Sequence, residues 1–322
     1  MSKPIKHLLL RAPNWLGDAI MAQPAMRAIA LGQEHEQLSL AGQAWLADLL
    51  PFFNLPGATY QITDSAADAA VLFPNSFRAA WEVWRVGTAR RIGFAGQWRK
   101  LLLTDAYPPR IRLDSEHHRD YYLDLAEQMG VGISEREVRL CAPEEERQAG
   151  SRLISEYGLD PGKTICLAPG SQFGGAKRYP AAGFAQLITW LTELGWQPLV
   201  LGTPQEQDIG EQCLRGVTGA HYNAAGKTSL RQALQTLCAS RLLVSNDSGL
   251  MHVAAGMGLP VVAIFGATDP ARTAPSGERV RLLYQPADCG PCLQRECSVA
   301  GQPCMANIRP ESVRDACLSL LG

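Results

Sequence analysis

The sequence predicts an α/β protein built from two Rossmann-like halves that face each other across a cleft, and three observations predict it. Short apolar runs alternate with helical patterns along the chain, the mark of strand–helix–strand units in a parallel sheet. The alternation forms two series, parted by Ala142-Pro143 and a charged helical stretch from Glu144 to Tyr157. At 322 residues the chain is long for one open sheet and sufficient for two domains with separate cores. The expected domains are 1–143 and 144–322, with the terminal helix a candidate to pack back on the first.

In the first series His7 to Ala12 reads as a strand and Pro13 to Asp18 as the loop after it. Ala19 to Leu31 reads as a helix through the apolar positions Ile20, Ala25, Ala28 and Ile29. Pro24 inside it should kink the helix or mark where its regular part begins. Gln37 to Ala41 is a second strand, Ala44 to Leu50 a short helix, and Thr59 to Ile62 and Ala69 to Phe73 short strands. Phe77 to Lys100 differs in character. Arg78, Arg85, Arg90, Arg91, Arg99 and Lys100 stand against one acid, Glu82, with Trp81, Trp84 and Trp98 among them. Arg91 to Phe94 is a strand within it. A helix in EHHRDYYLDLAEQMG ends at Gly130, and Val138 to Cys141 is a further strand.

The second series opens with a strand, Thr164 to Ala168, followed by a Gly-rich loop from Pro169 to Tyr179. Pro180 to Leu194 is a helix with proline at its first turn. Pro198 to Leu201 is a strand; Gln205 to Arg215 and Ser229 to Ala239 are helices. Arg241 to Gly266 then compresses strand, polar loop, small-residue helix and strand into one crossover. Val280 to Tyr284 is the last strand, a cysteine-rich loop follows it, and Pro310 to Leu321 is the terminal helix.

Bulk composition excludes several classes. The formal net charge of −1 gives no basic field for nucleic acid. No run approaches the ~18 apolar residues of a membrane span. Only three leucines precede Arg11 in MSKPIKHLLLRAPNW, too few for a signal peptide, so a cytoplasmic protein is expected. Nine cysteines cannot all pair within one chain.

Several motifs carry chemistry. Asn246-Asp247-Ser248-Gly249 precedes a helix, where free N–H groups and the macrodipole favour an anion by ~0.3–1 kcal/mol. The plain alternative is a turn capped by Asp247 or Ser248. His252 on that helix reads first as a packed core group. Pro169 to Pro180, PGSQFGGAKRYP, combines three glycines with Lys177 before a helix start, a pattern able to neutralise a diphosphate. Asp18 after the first strand could serve as a general base, or could simply cap the next helix. Ala225-Gly226-Lys227-Thr228 is no P-loop, because His221 stands where the pattern needs glycine. Ser229 and Gln232 form a capping box instead. Cys289, Cys292, Cys297 and Cys304 read as reduced structural thiols, with a structural zinc as the alternative and a disulfide ranked last. The Arg/Trp stretch reads as a solvated helix face with tryptophan packed beneath, or as a phosphate or membrane contact.

In order, NWLGDAIMAQPAMRA from Asn14, RRIGF from Arg90, PGSQFGGAKRYP from Pro169, GKTSL from Gly226, SNDSGLMHVAAGMGLPVVAIFGATDP from Ser245 and CGPCLQREC from Cys289 resemble one known set. They resemble the ADP-heptose:lipopolysaccharide heptosyltransferases of glycosyltransferase family 9, most of all the heptosyltransferase II branch, nearly end to end. The resemblance implies a GT-B fold and inverting transfer that needs no metal or other cofactor beyond ADP-heptose as co-substrate. The implied acceptor is a heptose on Kdo-bearing lipid A at the cytoplasmic face of the inner membrane, where the protein would be peripheral. Asp18 matches the general base, and Lys177 the residue that holds the donor phosphates. Asp247, Ser248 and Gly249 match the donor loop, and Glu206 a ribose-binding carboxylate. Ser171-Gln172-Phe173 replaces a Thr-rich or acidic family segment, so Ser171 takes a donor role by position. Arg90 and Arg91 are the implied acceptor contacts. Two rivals differ in class: a GT-B transferase for another nucleotide sugar, separable by donor screening, and a non-catalytic two-lobed binder, in which Asp18 and Lys177 would have no role.

Overall fold

The computed structural model describes residues 5–61 and 65–322, in two compact units, Met1–Cys141 and Ala142–Gly322. The expected end of a strand at Ile62 lies outside the described residues.

The first unit runs β1 (Ile5–Arg11), α1 (Leu16–Gly32), β2 (His35–Ala41), α2 (Leu46–Leu49), β3 (Ala58–Gln61) and β4 (Ala69–Leu72), then α3 (Phe77–Arg85), β5 (Arg90–Phe94), β6 (Asp105–Tyr107) and α4 (His118–Gln128). Among the described residues its strands form a six-stranded sheet in the order β3-β2-β1-β4-β5-β6, with parallel pairings. The chain winds outward from β1 in one direction, returns, and winds outward from β4 in the other. The switch therefore falls between β1 and β4, the place where open sheets leave a ligand crevice at their carboxyl edge.

Three expectations shift here. Helix α1 begins at Leu16 and runs through Pro24, because residues 19–26 are all buried and their packing outweighs the ~3 kcal/mol helix cost of proline. No strand forms over Val138 to Cys141. The buried Gln23 takes the place of a neighbouring strand there: its Nε2 donates to the Arg139 carbonyl at 3.0 Å and its Oε1 accepts from the Arg139 N–H at 3.2 Å. On α3, Ala79, Ala80 and Val83 face the core, while Trp81 and Trp84 are exposed rather than packed beneath.

The second unit runs α5 (Glu144–Glu156), β7 (Thr164–Ala168), α6 (Ala181–Glu193), β8 (Gln197–Val200), α7 (Gln207–Leu214), β9 (Tyr222–Asn223) and α8 (Leu230–Ala239). It continues with β10 (Leu242–Asn246), α9 (Gly249–Gly256), β11 (Val261–Phe265), α10 (Pro270–Thr273), β12 (Val280–Tyr284), α11 (Pro303–Ala306) and α12 (Pro310–Leu321). Its strand order is β12-β11-β10-β7-β8-β9, again with parallel pairings, so the switch lies between β7 and β10. Strands β7, β10 and β11 are buried along their whole length, as expected of a sheet covered on both faces. The terminal helix α12 enters this core through Val313, Cys317 and Leu320. Ser229 caps α8 in a reciprocal box with Gln232.

Helices α5 and α8 approach each other through Gly150, where an added Cβ would lie 1.8 Å from the Gln235 carbonyl oxygen. Backbone cannot yield as a flexible side chain does, so Gly150→Ala is expected to destabilise the protein by about 1–3 kcal/mol. Gly132→Ala, with open space around its Cβ, is the matched control and should shift the urea midpoint far less.

Candidate active site

The second unit's site grows from the end of β10. Asn246 is fully buried, and its side chain clasps both ends of the Gly-rich loop. Nδ2 donates to the carbonyls of Pro169 at 2.7 Å and Gly170 at 3.2 Å, and Oδ1 accepts from the Tyr179 N–H at 3.1 Å. Tyr179 is itself anchored through its hydroxyl to the Ile308 carbonyl at 2.9 Å, and burial pushes that phenol up to about 12. Loop 169–179 is thereby fixed at the β7/β10 switch.

Asp247, 5% exposed, follows directly. Its Oδ2 accepts from the Lys177 ammonium at 2.5 Å and from the Thr268 hydroxyl at 2.6 Å. A buried carboxylate needs such partners, since burying a charge unpaired costs several kcal/mol. The Lys177 Nζ also sits 4.7 Å from the centre of the Phe173 ring, whose other visitor is the Arg295 guanidinium at 5.6 Å. Ser171 is 3% exposed, and its Oγ has no hydrogen-bond partner, a rare state for a buried hydroxyl.

Other expected residues have definite employments. Ser248 occupies the N-cap position of α9 without a side-chain cap bond; its hydroxyl pairs with Ser245 Oγ at 2.9 Å instead. The first-turn amides from Gly249 onward lack that cap. His252 is buried in α9, in line with a packed core histidine. Glu206 is buried, and its Oε2 accepts from the Thr203 N–H at 2.8 Å and the Thr203 hydroxyl at 3.0 Å. A Cβ on Gly170 would lie 2.1 Å from Glu206 Oε1, so the carboxylate packs where only glycine fits.

The cysteine-rich segment does more than the sequence suggested. Gln302 Nε2 donates to the carbonyls of Ala176 at 2.7 Å and Gly175 at 3.2 Å. Glu296 Oε1 accepts from the Gly175 N–H at 3.0 Å, and the Ala176 N–H donates to the Arg295 carbonyl at 2.9 Å. This strap holds the short turn that carries Lys177, and a Cβ on Gly174 would strike the Arg295 backbone at 2.2 Å. Cys289, Cys292, Cys297 and Cys304 are free thiols, and among the described residues no group of three or more His, Cys, Asp or Glu is arranged for a metal ion. Burial, then the neighbouring Cys297, Cys289 and Cys292, raise the Cys304 thiol.

In the first unit Asp18 lies in the first turn of α1, just past the carboxyl end of β1. The N-cap is Trp15, with no side-chain cap bond, so Asp18 is not the cap. His118, which opens α4, places Nδ1 3.5 Å from Asp18 Oδ1, while its Nε2 lies 3.2 Å from the Leu113 carbonyl. His118 is not among the site residues expected from the motifs; the paired histidines at the start of EHHRDYY are the available signal. Arg90 and Arg91 are occupied within the unit. Arg90 grips Asp105 through Nε and Nη2, which holds that carboxyl below its usual range. Arg91 donates to the carbonyls of Leu102, Thr88 and Ala89. No helix among the described residues is long and apolar enough to cross a membrane.

Comparison with known proteins follows the same lines. The family model for glycosyltransferase family 9 (heptosyltransferase) matches residues 59–302. Lipopolysaccharide heptosyltransferase 2 of Escherichia coli K12 is 29% identical over 307 residues, covering 86% of this chain and 87% of that one. The solved structure of E. coli ADP-heptose LPS heptosyltransferase II superposes with a TM-score of 0.80 at 24% identity, over 98% of both chains. A family 9 glycosyltransferase from Veillonella parvula superposes at 0.83 with 20% identity, over 100% of this chain and 98% of that one. These neighbours carry the GT-B fold.

Two outcomes follow from the geometry. Asp247→Ala strands the Lys177 ammonium, which is only 13% exposed, and should cost about 3–5 kcal/mol in urea unfolding. Adding Lys177→Met should recover part of that loss; strictly additive losses would show the pair is not coupled. Burial pushes the thiols of Cys166, Cys213 and Cys317 up to about 12. At pH 8 these three should resist an aromatic disulfide reagent until urea unfolds the chain, while exposed Cys289 reacts in the native protein.

Proposed function

The chain belongs to glycosyltransferase family 9, and from that premise we propose that it moves L-glycero-D-manno-heptose from ADP-heptose to the inner core of lipopolysaccharide, adding the second heptose to heptosyl-Kdo2-lipid A. The observation that carries the donor half is the buried, unpartnered Ser171 hydroxyl beside the Lys177 turn at the β7/β10 switch. An orphaned hydroxyl and a cation at that edge suit a phosphate, and the uncapped start of α9 adds backbone donors.

In this mechanism Asp18 takes the proton from the acceptor hydroxyl as its oxygen attacks the anomeric carbon of the heptose. The bond from that carbon to the β-phosphate oxygen breaks on the opposite face, which inverts the centre. Lys177 offsets the charge on departing ADP. In this structure its ammonium is bound to Asp247, so the diphosphate must share or take that cation. Asp247 then turns to the sugar, Ser248 and Gly249 present amides to the diphosphate, and Glu206 meets the ribose through the oxygen that Thr203 leaves. His118 keeps the Asp18 carboxylate oriented. Arg90 and Arg91 remain acceptor contacts through the N–H groups not already given to Asp105 and the carbonyls. The reaction takes place at the cytoplasmic face of the inner membrane and draws on no metal.

Asp18→Asn keeps the shape and removes the base. Turnover with ADP-heptose and heptosyl-Kdo2-lipid A, read by mass spectrometry, should fall about 10²–10⁴-fold. ADP-heptose affinity should stay within about threefold of the parent. Undiminished turnover would remove Asp18 from the base role, and turnover only with another nucleotide sugar would overturn the donor assignment.

A further inference from the structure

We propose that the carboxyl edge of the first unit's sheet, with the outer face of α3, is a docking surface for the interfacial region of an anionic phospholipid bilayer. Strands β1, β4 and β5 are neighbours and parallel, so the segments after them leave the sheet along one edge. Each presents a large aromatic side chain to solvent: Trp15 after β1, Phe77 after β4 and Trp98 after β5. With ~4.8 Å between strands, the three segments start within ~10 Å of one another.

The outermost of these is held out by the backbone. Gln97 and Trp98 both adopt left-handed conformations, at φ 46° and 63°, which non-glycine residues rarely take. The next residue, Arg99, is fully buried and donates through Nη1 to the Pro74 carbonyl. Trp98 and Leu101, on either side of that anchor, are 84% and 82% exposed. Helix α3 packs beside this turn, and Phe77, Trp81 and Trp84 fall at i, i+4 and i+7, one exposed stripe opposite its buried Ala79, Ala80 and Val83. So many large exposed aromatic side chains on neighbouring segments mark an interaction site rather than ordinary solvent exposure.

Charge selects the occupant. Arg85 lies against the Trp81 ring at 4.9 Å, and exposed Lys100 lies between Trp98 and Leu101. The acid on α3, Glu82, is engaged by Arg78 at 2.7 Å. Tryptophan bodies with basic side chains beside them fit the headgroup layer of an anionic membrane. A second copy of the chain would instead bring cation against cation. Asp18 follows Trp15 by three residues at this edge, so docking would present the base to a glycolipid acceptor in the same bilayer; that consequence alone rests on the transferase reading.

The test uses the full chain and vesicles of 70% phosphatidylethanolamine and 30% phosphatidylglycerol, with phosphatidylcholine vesicles for comparison. The protein should co-sediment with the anionic vesicles in 0.1 M salt, and Trp98→Ser with Leu101→Ser should weaken this at least tenfold while the thermal midpoint is kept. Turnover of the bilayer-held acceptor should fall in that variant, while turnover of the deacylated, water-soluble acceptor is unchanged. Equal vesicle binding by the variant, absence of binding by the parent, or self-association through this face without vesicle binding would each overturn the proposal. Binding to vesicles without turnover of either acceptor would defeat the transferase reading and leave the docking surface standing.

Discussion

The second unit's site depends on two adjacent side chains at the end of β10. Asn246 is buried with its amide satisfied by Pro169, Gly170 and Tyr179, so the Gly-rich loop has its two ends tied to one strand. Asp247 is buried with a charge that requires the Lys177 ammonium and the Thr268 hydroxyl. Removing either residue leaves polar groups stranded at low dielectric, where an unmade bond costs more than a made one contributes. The loop that carries Lys177 is therefore placed by what β10 must bury, and the Gln302 and Glu296 strap fixes the turn from its other side.

The same constraint gives the site its chemical character. The proposed donor role uses this pairing: the Lys177 ammonium already stands charged beside Asp247, and a diphosphate would share it with that carboxylate. The Ser171 hydroxyl lacks a partner within the protein, so it can meet a phosphate oxygen without first giving up a bond. In the first unit, Asp18 and His118 form the corresponding pair with less burial, which suits the proton exchange proposed for that carboxylate.

Much of this was legible in the sequence, for local reasons. Apolar runs followed by Asn-Asp-Ser-Gly or by a glycine-rich stretch mark the ends of parallel strands, and Pro180 and Ser229 mark helix starts. Long-range pairings were not legible. Lys177 lies 70 residues from Asp247, and Gln302 lies 126 from Ala176, so no spacing announces either contact. The strap in the cysteine-rich segment rests on Arg295, Glu296 and Gln302, whose partners lie far away along the chain, so no local pattern marks them. Strands β6 and β9, three and two residues long, are too short to carry a period. Val138 to Cys141 has strand-like composition, but a glutamine side chain supplies bonds that a strand would have given. Trp81 and Trp84 are expected packed beneath the helix face, and Ala79, Ala80 and Val83 take that place.

The claim at the centre is that the Lys177 turn receives the diphosphate of an ADP-sugar. Calorimetric titration of ADP and of adenosine, against the parent and against Lys177→Met, tests it most directly. The parent should bind ADP at least ~tenfold more tightly than adenosine, a difference of ~1.4 kcal/mol. Lys177→Met should erase most of that preference and leave adenosine binding unchanged. Equal binding of ADP and adenosine by the parent, or an undiminished preference for ADP in the variant, would contradict it.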